Sequence, residues 1–177
     1  MAAPVILPPL RKRLSPNRSS RHGQAVHLVV VHDTEGGYAG SIATLCDPAR
    51  QASAHVVVRE DGNEATQLVP WGEKAWACVA FNSVSDNIEL AGFHDRLGTH
   101  ELRVGARVVA FRLHKRGLPA RWSRDGKSPG FTRHYDLGAA GGGHTDPTTR
   151  LLYWLRFVAL VKYEARRGHF RQTWGVD

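Results

Sequence analysis

This sequence predicts one α/β domain, a central twisted sheet of mixed strands flanked by helices. Three observations point there. The run Ala25-Val26-His27-Leu28-Val29-Val30-Val31 is almost wholly apolar and rich in β-branched residues, the pattern of a buried strand. Ala52–Arg59 and Glu64–Val69 are β-prone segments joined by Glu60-Asp61-Gly62-Asn63, a Gly-containing hairpin turn. Thr99–Arg116 and Pro147–Arg167 repeat apolar residues at helical spacing. A chain of 177 residues suits one compact domain with a sizeable core.

Taken in order, residues 1–24 are rich in Pro, Ser and Arg and are expected to form a basic, extended arm before a domain over 25–170; a short tail, 171–177, follows. Gly36 and Gly37 turn the chain after the first strand, and Ser41–Leu45 is expected as a short helix. Asp86–Phe93 is expected as a strand, with Ile88 and Leu90 on one face and Asn87, Glu89 and Ala91 on the other. In the first long helix Leu102, Ala106, Val109 and Leu113 form the apolar stripe, and Gly117 and Pro119 stop it. In the second the expected stripe is Leu151, Leu155, Val158 and Ala159, with Arg166, Arg167 and Gly168 at the end. Leu118–Gly143 reads as a long, Gly-rich, irregular loop, and such loops inside compact domains usually carry function.

Composition excludes several classes. Lys and Arg number 24 against 16 Asp and Glu, a net charge of +8 that favours polyanions: nucleic acid, anionic membranes or anionic wall polymers. No zinc-finger or RNP-type signature accompanies the charge. No apolar stretch approaches the roughly 20 residues needed to cross a bilayer. The positive charges Arg11, Lys12 and Arg13 follow the short apolar start instead of preceding it, the wrong order for a secretory signal. Two cysteines, Cys46 and Cys78, can build neither a disulfide framework nor a four-cysteine zinc site.

Three residues stand in contexts that a mononuclear zinc hydrolase needs. His32 closes the first strand, His134 lies between Gly130 and Gly138, and Asp146 sits in His144-Thr145-Asp146-Pro147. Three nitrogen or oxygen ligands with an open fourth position is the catalytic zinc arrangement. Each has an ordinary reading as well. His32 alone could be a buried histidine ending a strand, and His134 a solvated loop residue. Asp146 before Pro147 could cap the last helix, a role compatible with binding because a carboxylate has two oxygens.

Four segments in order carry a family resemblance: Val30-Val31-His32-Asp33-Thr34, Ser53-Ala54-His55-Val56-Val57-Val58-Arg59-Glu60-Asp61-Gly62, Asn87-Ile88-Glu89-Leu90-Ala91-Gly92 and His144-Thr145-Asp146-Pro147. Together they resemble the zinc N-acetylmuramoyl-L-alanine amidases, a family that includes phage endolysins, muropeptide-recycling amidases and peptidoglycan recognition proteins. The likeness runs from about residue 25 to about residue 167. Residues 15–23, Ser-Pro-Asn-Arg-Ser-Ser-Arg-His-Gly, also resemble a segment of endolysins from phages of actinobacteria.

The resemblance implies a peptidoglycan-recognition-protein-like fold with zinc (Zn2+) on His32, His134 and Asp146 at one end of the sheet. Glu89 corresponds to the catalytic glutamate of the recycling amidases; in an unrelated strand it would simply face solvent. Other family members use a tyrosine one residue before the position of His55, and Ala54 stands there. His144 departs from the lysine often found two residues before the third ligand; imidazolium can stabilise an oxyanion only while protonated. His55 is expected to be buried and off the metal. His22, His27, His94, His100, His114 and His169 have no supporting context. Trp71, Trp76 and Phe81 read as core, although Trp76 resembles a family aromatic near the substrate groove.

The function these features imply is zinc-dependent hydrolysis of the amide between N-acetylmuramic acid and L-alanine in peptidoglycan, by an endolysin that waits in the host cytoplasm and then meets the wall. Peptidoglycan is the expected partner, with no nucleic acid and no stable membrane insertion. Substrate contacts are expected from Pro70–Ser85 and Leu118–Gly143. The alternatives are a cytosolic muropeptide-recycling amidase and a non-catalytic peptidoglycan-binding protein.

Overall fold

The computed structural model describes residues 4–93, 98–171 and 174, with Arg171 by its backbone alone. Strands β1 (Val5–Ile6), β2 (Leu10–Lys12), β3 (Arg18–Ser20) and β4 (Leu28–Asp33) lead to helix α1 (Tyr38–Leu45). Strands β5 (Val56–Val58), β6 (Ala65–Gln67), β7 (Glu73–Ala75) and β8 (Ser85–Leu90) follow. The chain continues through α2 (Thr99–Arg116), β9 (Gly130–Arg133), α3 (Leu151–Arg167) and β10 (Phe170–Arg171). Six strands form the central sheet in the order β2-β6-β5-β8-β4-β9. The β5–β6 hairpin is antiparallel and the other neighbours are parallel, so the sheet is mixed.

Side-chain alternation along the strands divides the domain into layers. Val29 and Val31 of β4, Val56 and Val58 of β5, Ile88 and Leu90 of β8 and Phe131 of β9 join one core. Leu102, Ala106, Val109 and Leu113 of α2 and Trp154, Phe157 and Val161 of α3 belong to the same core. Leu28 and Val30 point the other way, toward Cys78 and Leu137, and Val57 packs with Ile42 of α1. The face away from α2 and α3 is the one that carries His32.

From residue 4 on, the arm is stitched into the domain. β2 pairs with β6 at the edge of the main sheet, β3 pairs with β7, and Ser15, Asn17 and Arg21 are buried. Of the tail, Trp174 is buried and its indole N–H donates to Pro8 O at 2.7 Å.

Three local expectations need correction. The segment Leu118–Gly143 contains β9 and a 3-10 segment, His134–Gly141. β9 reads Gly-Phe-Thr-Arg and lacks a β-branched run, yet every residue is buried. Gly130 is required there: its φ is +148°, and a Cβ would lie 2.1 Å from Arg121 O. α3 begins at Leu151 with Arg150 as its N-cap, so Asp146 does not cap it and Pro147 is not its first residue. The Asp146 carboxylate is turned to two histidines instead. The stripe of α3 is also rotated. Leu151, Leu155 and Ala159 are exposed, and Trp154, Phe157, Val158, Val161 and Glu164 face inward. The larger aromatic surfaces win the core position, and Glu164 is tolerated there because Arg107 and Arg167 pair with it.

One buried ion cluster joins arm, sheet and helix. Asp86 on β8 is fully buried and meets Arg21 at 2.9 Å, Arg112 at 2.8 Å and Arg116 at 2.9 Å. Burial alone would raise its pKa, but Arg112, Arg116 and the neighbouring His55 hold it below the usual carboxylate range. A depressed carboxylate contributes stability that is complete above the unfolded value of about 3.9 and is lost as pH falls through the folded one. Asp86→Asn is therefore expected to cost about 3–5 kcal/mol at pH 7, because it strands buried guanidinium charge. Urea melts check this: the gap between parent and variant should narrow when pH drops below about 4.

Candidate metal and catalytic centre

Strand register assembles the centre. In the parallel β4–β8 pair His32 stands opposite Glu89, and in the β4–β9 pair Val31 stands opposite Arg133. His134, the residue after β9, therefore arrives beside His32. Asp146 is returned to the same spot by the backbone N–H of Tyr135, which donates to Asp146 O at 2.9 Å.

The three side chains converge. His134 Nδ1 lies 2.9 Å from Asp146 Oδ1, His32 Nδ1 lies 3.2 Å from Asp146 Oδ2, and the two Nδ1 atoms are 3.1 Å apart. All three residues are buried. Among the described residues, this is the group of His, Cys, Asp and Glu that could hold a metal ion, its ligand atoms lying within 4.8 Å of one another.

The chemistry of the donor set fits a cation. His32 Nε2–H donates to Asn87 Oδ1 at 3.0 Å, and His134 Nε2–H donates to Gly141 O at 2.8 Å. With both Nε2 atoms protonated, two neutral imidazoles would aim bare Nδ1 lone pairs at each other and at a carboxylate. Three acceptors can share that space only with positive charge between them, and two imidazoles with one carboxylate suit zinc. Gly141 is needed for the approach, since a Cβ there would meet Leu137 Cβ at 2.5 Å.

Electrostatics follow from burial and proximity. Burial pushes the His32 pKa down, with His134 beside it adding to the effect, so His32 is held neutral as a ligand must be. Burial would lower His134 too, but the Asp146 carboxylate beside it favours its protonated form and raises it. Asp146, despite its burial, is kept well below the usual carboxylate range by His134 and His32.

Glu89 is 9 % exposed and lines the same groove, and its Oε2 is buried without a hydrogen-bond partner. Burial pushes its pKa well up, and the charges of Asp146, Asp33 and Glu35 push it further. A cation on the neighbouring nest would favour the carboxylate and lower it again. His144 lies on the groove rim with its side chain 62 % exposed; its ring stacks on His134 at 4.5 Å, and its Nδ1 is 3.8 Å from Asp146 Oδ1. It is beside the centre and outside the ligand cluster.

The groove has a volume of about 490 Å³. Its walls come chiefly from Asp33–Gly37, α1, Ala52, Ser53, Trp76 and Ala77. The loops expected to supply substrate contacts give less: Pro70–Ser85 contributes Trp76 and Ala77, and Leu118–Gly143 contributes His134. β9 explains the difference, because it ties much of that second segment into the sheet.

His55 is buried and off the cluster, as expected. Its Nδ1 accepts from the Asn87 N–H at 3.0 Å, its ring stacks on Trp71, and burial pushes its pKa down to about 3. Trp71 is core, Phe81 packs half-buried against Leu28 and Val30, and Trp76 belongs to the groove. His22, His27, His100, His114 and His169 do not line it; His94 lies outside the described residues. Sequence reasoning missed Asn87 and Gly141, the partners of the two ligand imidazoles. Asn87 had a signal: it sits two residues before Glu89 on the same face of a strand.

The family model described as N-acetylmuramoyl-L-alanine amidase matches residues 22–149. N-acetylmuramoyl-L-alanine amidase A of Achromobacter lyticus is 35% identical over 81 residues, 44% of this chain; the chain spans about half the length of that relative, 46%. Among solved structures, the hydrolase AmiA of Staphylococcus aureus in complex with its ligand has a TM-score of 0.74 at 19% identity, covering 97% of this chain and 89% of that one. A mutant endolysin from Bacillus subtilis has a TM-score of 0.68 at 17% identity, covering 88% and 99%. At such identities these structures speak for the fold. With the family model spanning most of the domain, and a His–His–Asp nest and a buried glutamate within its bounds, this chain belongs to the N-acetylmuramoyl-L-alanine amidase family.

Proposed function

We propose that this chain is a zinc-dependent amidase that cuts the bond between N-acetylmuramic acid and L-alanine in peptidoglycan, and that it serves as the catalytic part of an endolysin. The observation that carries the reading is the convergence of three buried donors beside Glu89 at the floor of an open groove. His32, His134 and Asp146 would hold the zinc, which when bound supplies a Lewis acid that polarises the scissile carbonyl and acidifies the attacking water.

The protein's own groups do the rest. Asn87 Oδ1 and Gly141 O hold the ligand rings in the tautomer that leaves each Nδ1 free. Glu89 Oε2, without another partner, takes the proton of the attacking water and returns it to the departing L-alanine nitrogen. His144, on the rim, offers a ring N–H to the oxyanion as it forms. A basic chain suits an anionic envelope, and its exposed charges make association salt-sensitive.

Chelation is the direct test of the metal. Dialysis against a strong chelator should abolish release of stem peptides from purified sacculi, read by mass spectrometry, and stoichiometric zinc should restore it. Undiminished release by metal-free protein would refute the reading. Intact sacculi compared with small soluble muropeptides separate the endolysin from a recycling amidase: an endolysin should prefer sacculi.

A further inference from the structure

The segment Ser15–Gly23 has no part in the chemistry above, yet the side chains of Ser15, Asn17 and Ser19 reach residues of the groove wall. Ser15 Oγ donates to Leu45 O at 2.6 Å. Asn17 is 2 % exposed, and its amide donates to Asp47 O at 2.8 Å and Ala52 O at 2.9 Å, spanning the turn after α1. Ser53 Oγ donates to Asn17 O at 2.6 Å and accepts the backbone N–H of Trp76 at 3.0 Å. The β3–β7 pairing sets Ser19 opposite Lys74, and Ser19 Oγ accepts the Trp76 indole N–H at 3.0 Å. Leu45, Ala52, Ser53 and Trp76, all reached by this segment, line the groove.

We infer that Ser19 is a positioning residue for substrate, fixing the Trp76 indole as a platform on the groove wall, with Asn17 and Ser53 holding the backbone beneath it. The argument is one of conformational freedom. Trp76 is half-buried at a groove edge, where an indole has more than one rotamer open to it. Its backbone is held by Ser53, and among the described residues the hydrogen bond that holds its ring is the one its indole N–H donates to Ser19. Ala52, Ser53 and Ala77, which line the groove with it, have small side chains. An indole presents a flat apolar face with a polar edge, and here the edge is anchored away from the groove by Ser19. A pre-oriented platform binds substrate without the ordering cost of a free one. The contact lies on the wall and not at the reacting atoms, so it should act on binding and leave the chemical step alone.

This inference rests on the amidase reading, and the experiment keeps the two apart. Ser19→Ala, Ser19→Thr, Trp76→Phe and the double variant Ser19→Ala/Trp76→Phe are assayed on solubilised wall and by co-sedimentation with sacculi. Loss of one hydrogen bond is worth about a fivefold change. Ser19→Ala should raise KM about fivefold with kcat within twofold, weaken sedimentation by the same factor, and be rescued by Ser19→Thr, which keeps the hydroxyl. In the Trp76→Phe background, which has no indole N–H, Ser19→Ala should have no further effect. A fall in kcat matching the rise in KM, failure of threonine to rescue, or an additive double variant overturns the proposal. If the parent releases no stem peptide, the amidase reading falls, and the sedimentation series alone decides: equal retention of parent and Ser19→Ala overturns the role of Ser19.

Discussion

Glu89→Gln is expected to lower the turnover of stem-peptide release by about 10²–10⁴-fold while zinc content stays at one ion per chain, since that is the range over which a positioned acid–base group acts. Glutamine keeps the volume and the hydrogen-bonding reach of glutamate but cannot take up and return a proton. The substitution also separates catalysis from stability. Glu89 is buried with an unpartnered Oε2, and burial with three nearby carboxylates disfavours its charge. A neutral amide removes that penalty, so the variant should melt no lower than the parent. Metal analysis, a thermal melt and a single-turnover assay check the three parts. Turnover within threefold of the parent would take Glu89 out of the mechanism.

His32→Ala is the second large effect, and it should act through the metal. Removing one of three converging donors is expected to empty the site at micromolar zinc. Rate should fall by at least about a thousandfold, because charge stabilisation by a bound metal is worth several kcal/mol and each 1.36 kcal/mol is tenfold. Titration with zinc under chelator competition should show weakened binding in His32→Ala and parent-like binding in Glu89→Gln. Asn87→Leu gives the intermediate case. It leaves all three ligands in place but removes the acceptor of the His32 Nε2–H. Loss of such a partner typically costs about 10–100-fold in metal affinity or activity. Full zinc affinity in His32→Ala would break the assignment of the centre.

The corrections share one cause. Periodicity reports which residues are apolar, not which of two apolar faces has a larger surface to meet. In α3 the Leu151–Leu155–Ala159 face and the Trp154–Phe157–Val161 face both read as helical stripes, and the sheet chose the aromatic one. In α2, flanked by Gly98 and Gly117, the expected stripe is buried together with Val104, Val108 and Phe111, so no choice between faces arose. β9 was illegible because four residues beginning with glycine carry little propensity. It is a strand because β4 offers an unpaired edge, and a parallel neighbour on that edge is what delivers His134. Asp146 before Pro147 had the form of a helix cap, but two imidazoles compete for its oxygens and the helix starts later.

From the sequence alone came the mixed α/β domain, the β5–β6 hairpin, the long helix Thr99–Arg116 and the three residues that now face one another, because each rests on local pattern or on a motif in fixed order. Their mutual distances, the acceptors at Asn87 and Gly141, the burial of Asp86 among arginines and the tie between Ser19 and Trp76 were decided by tertiary structure. Most of these contacts join residues far apart in the chain, and only strand pairing and the packing of helix on sheet bring them within hydrogen-bonding reach.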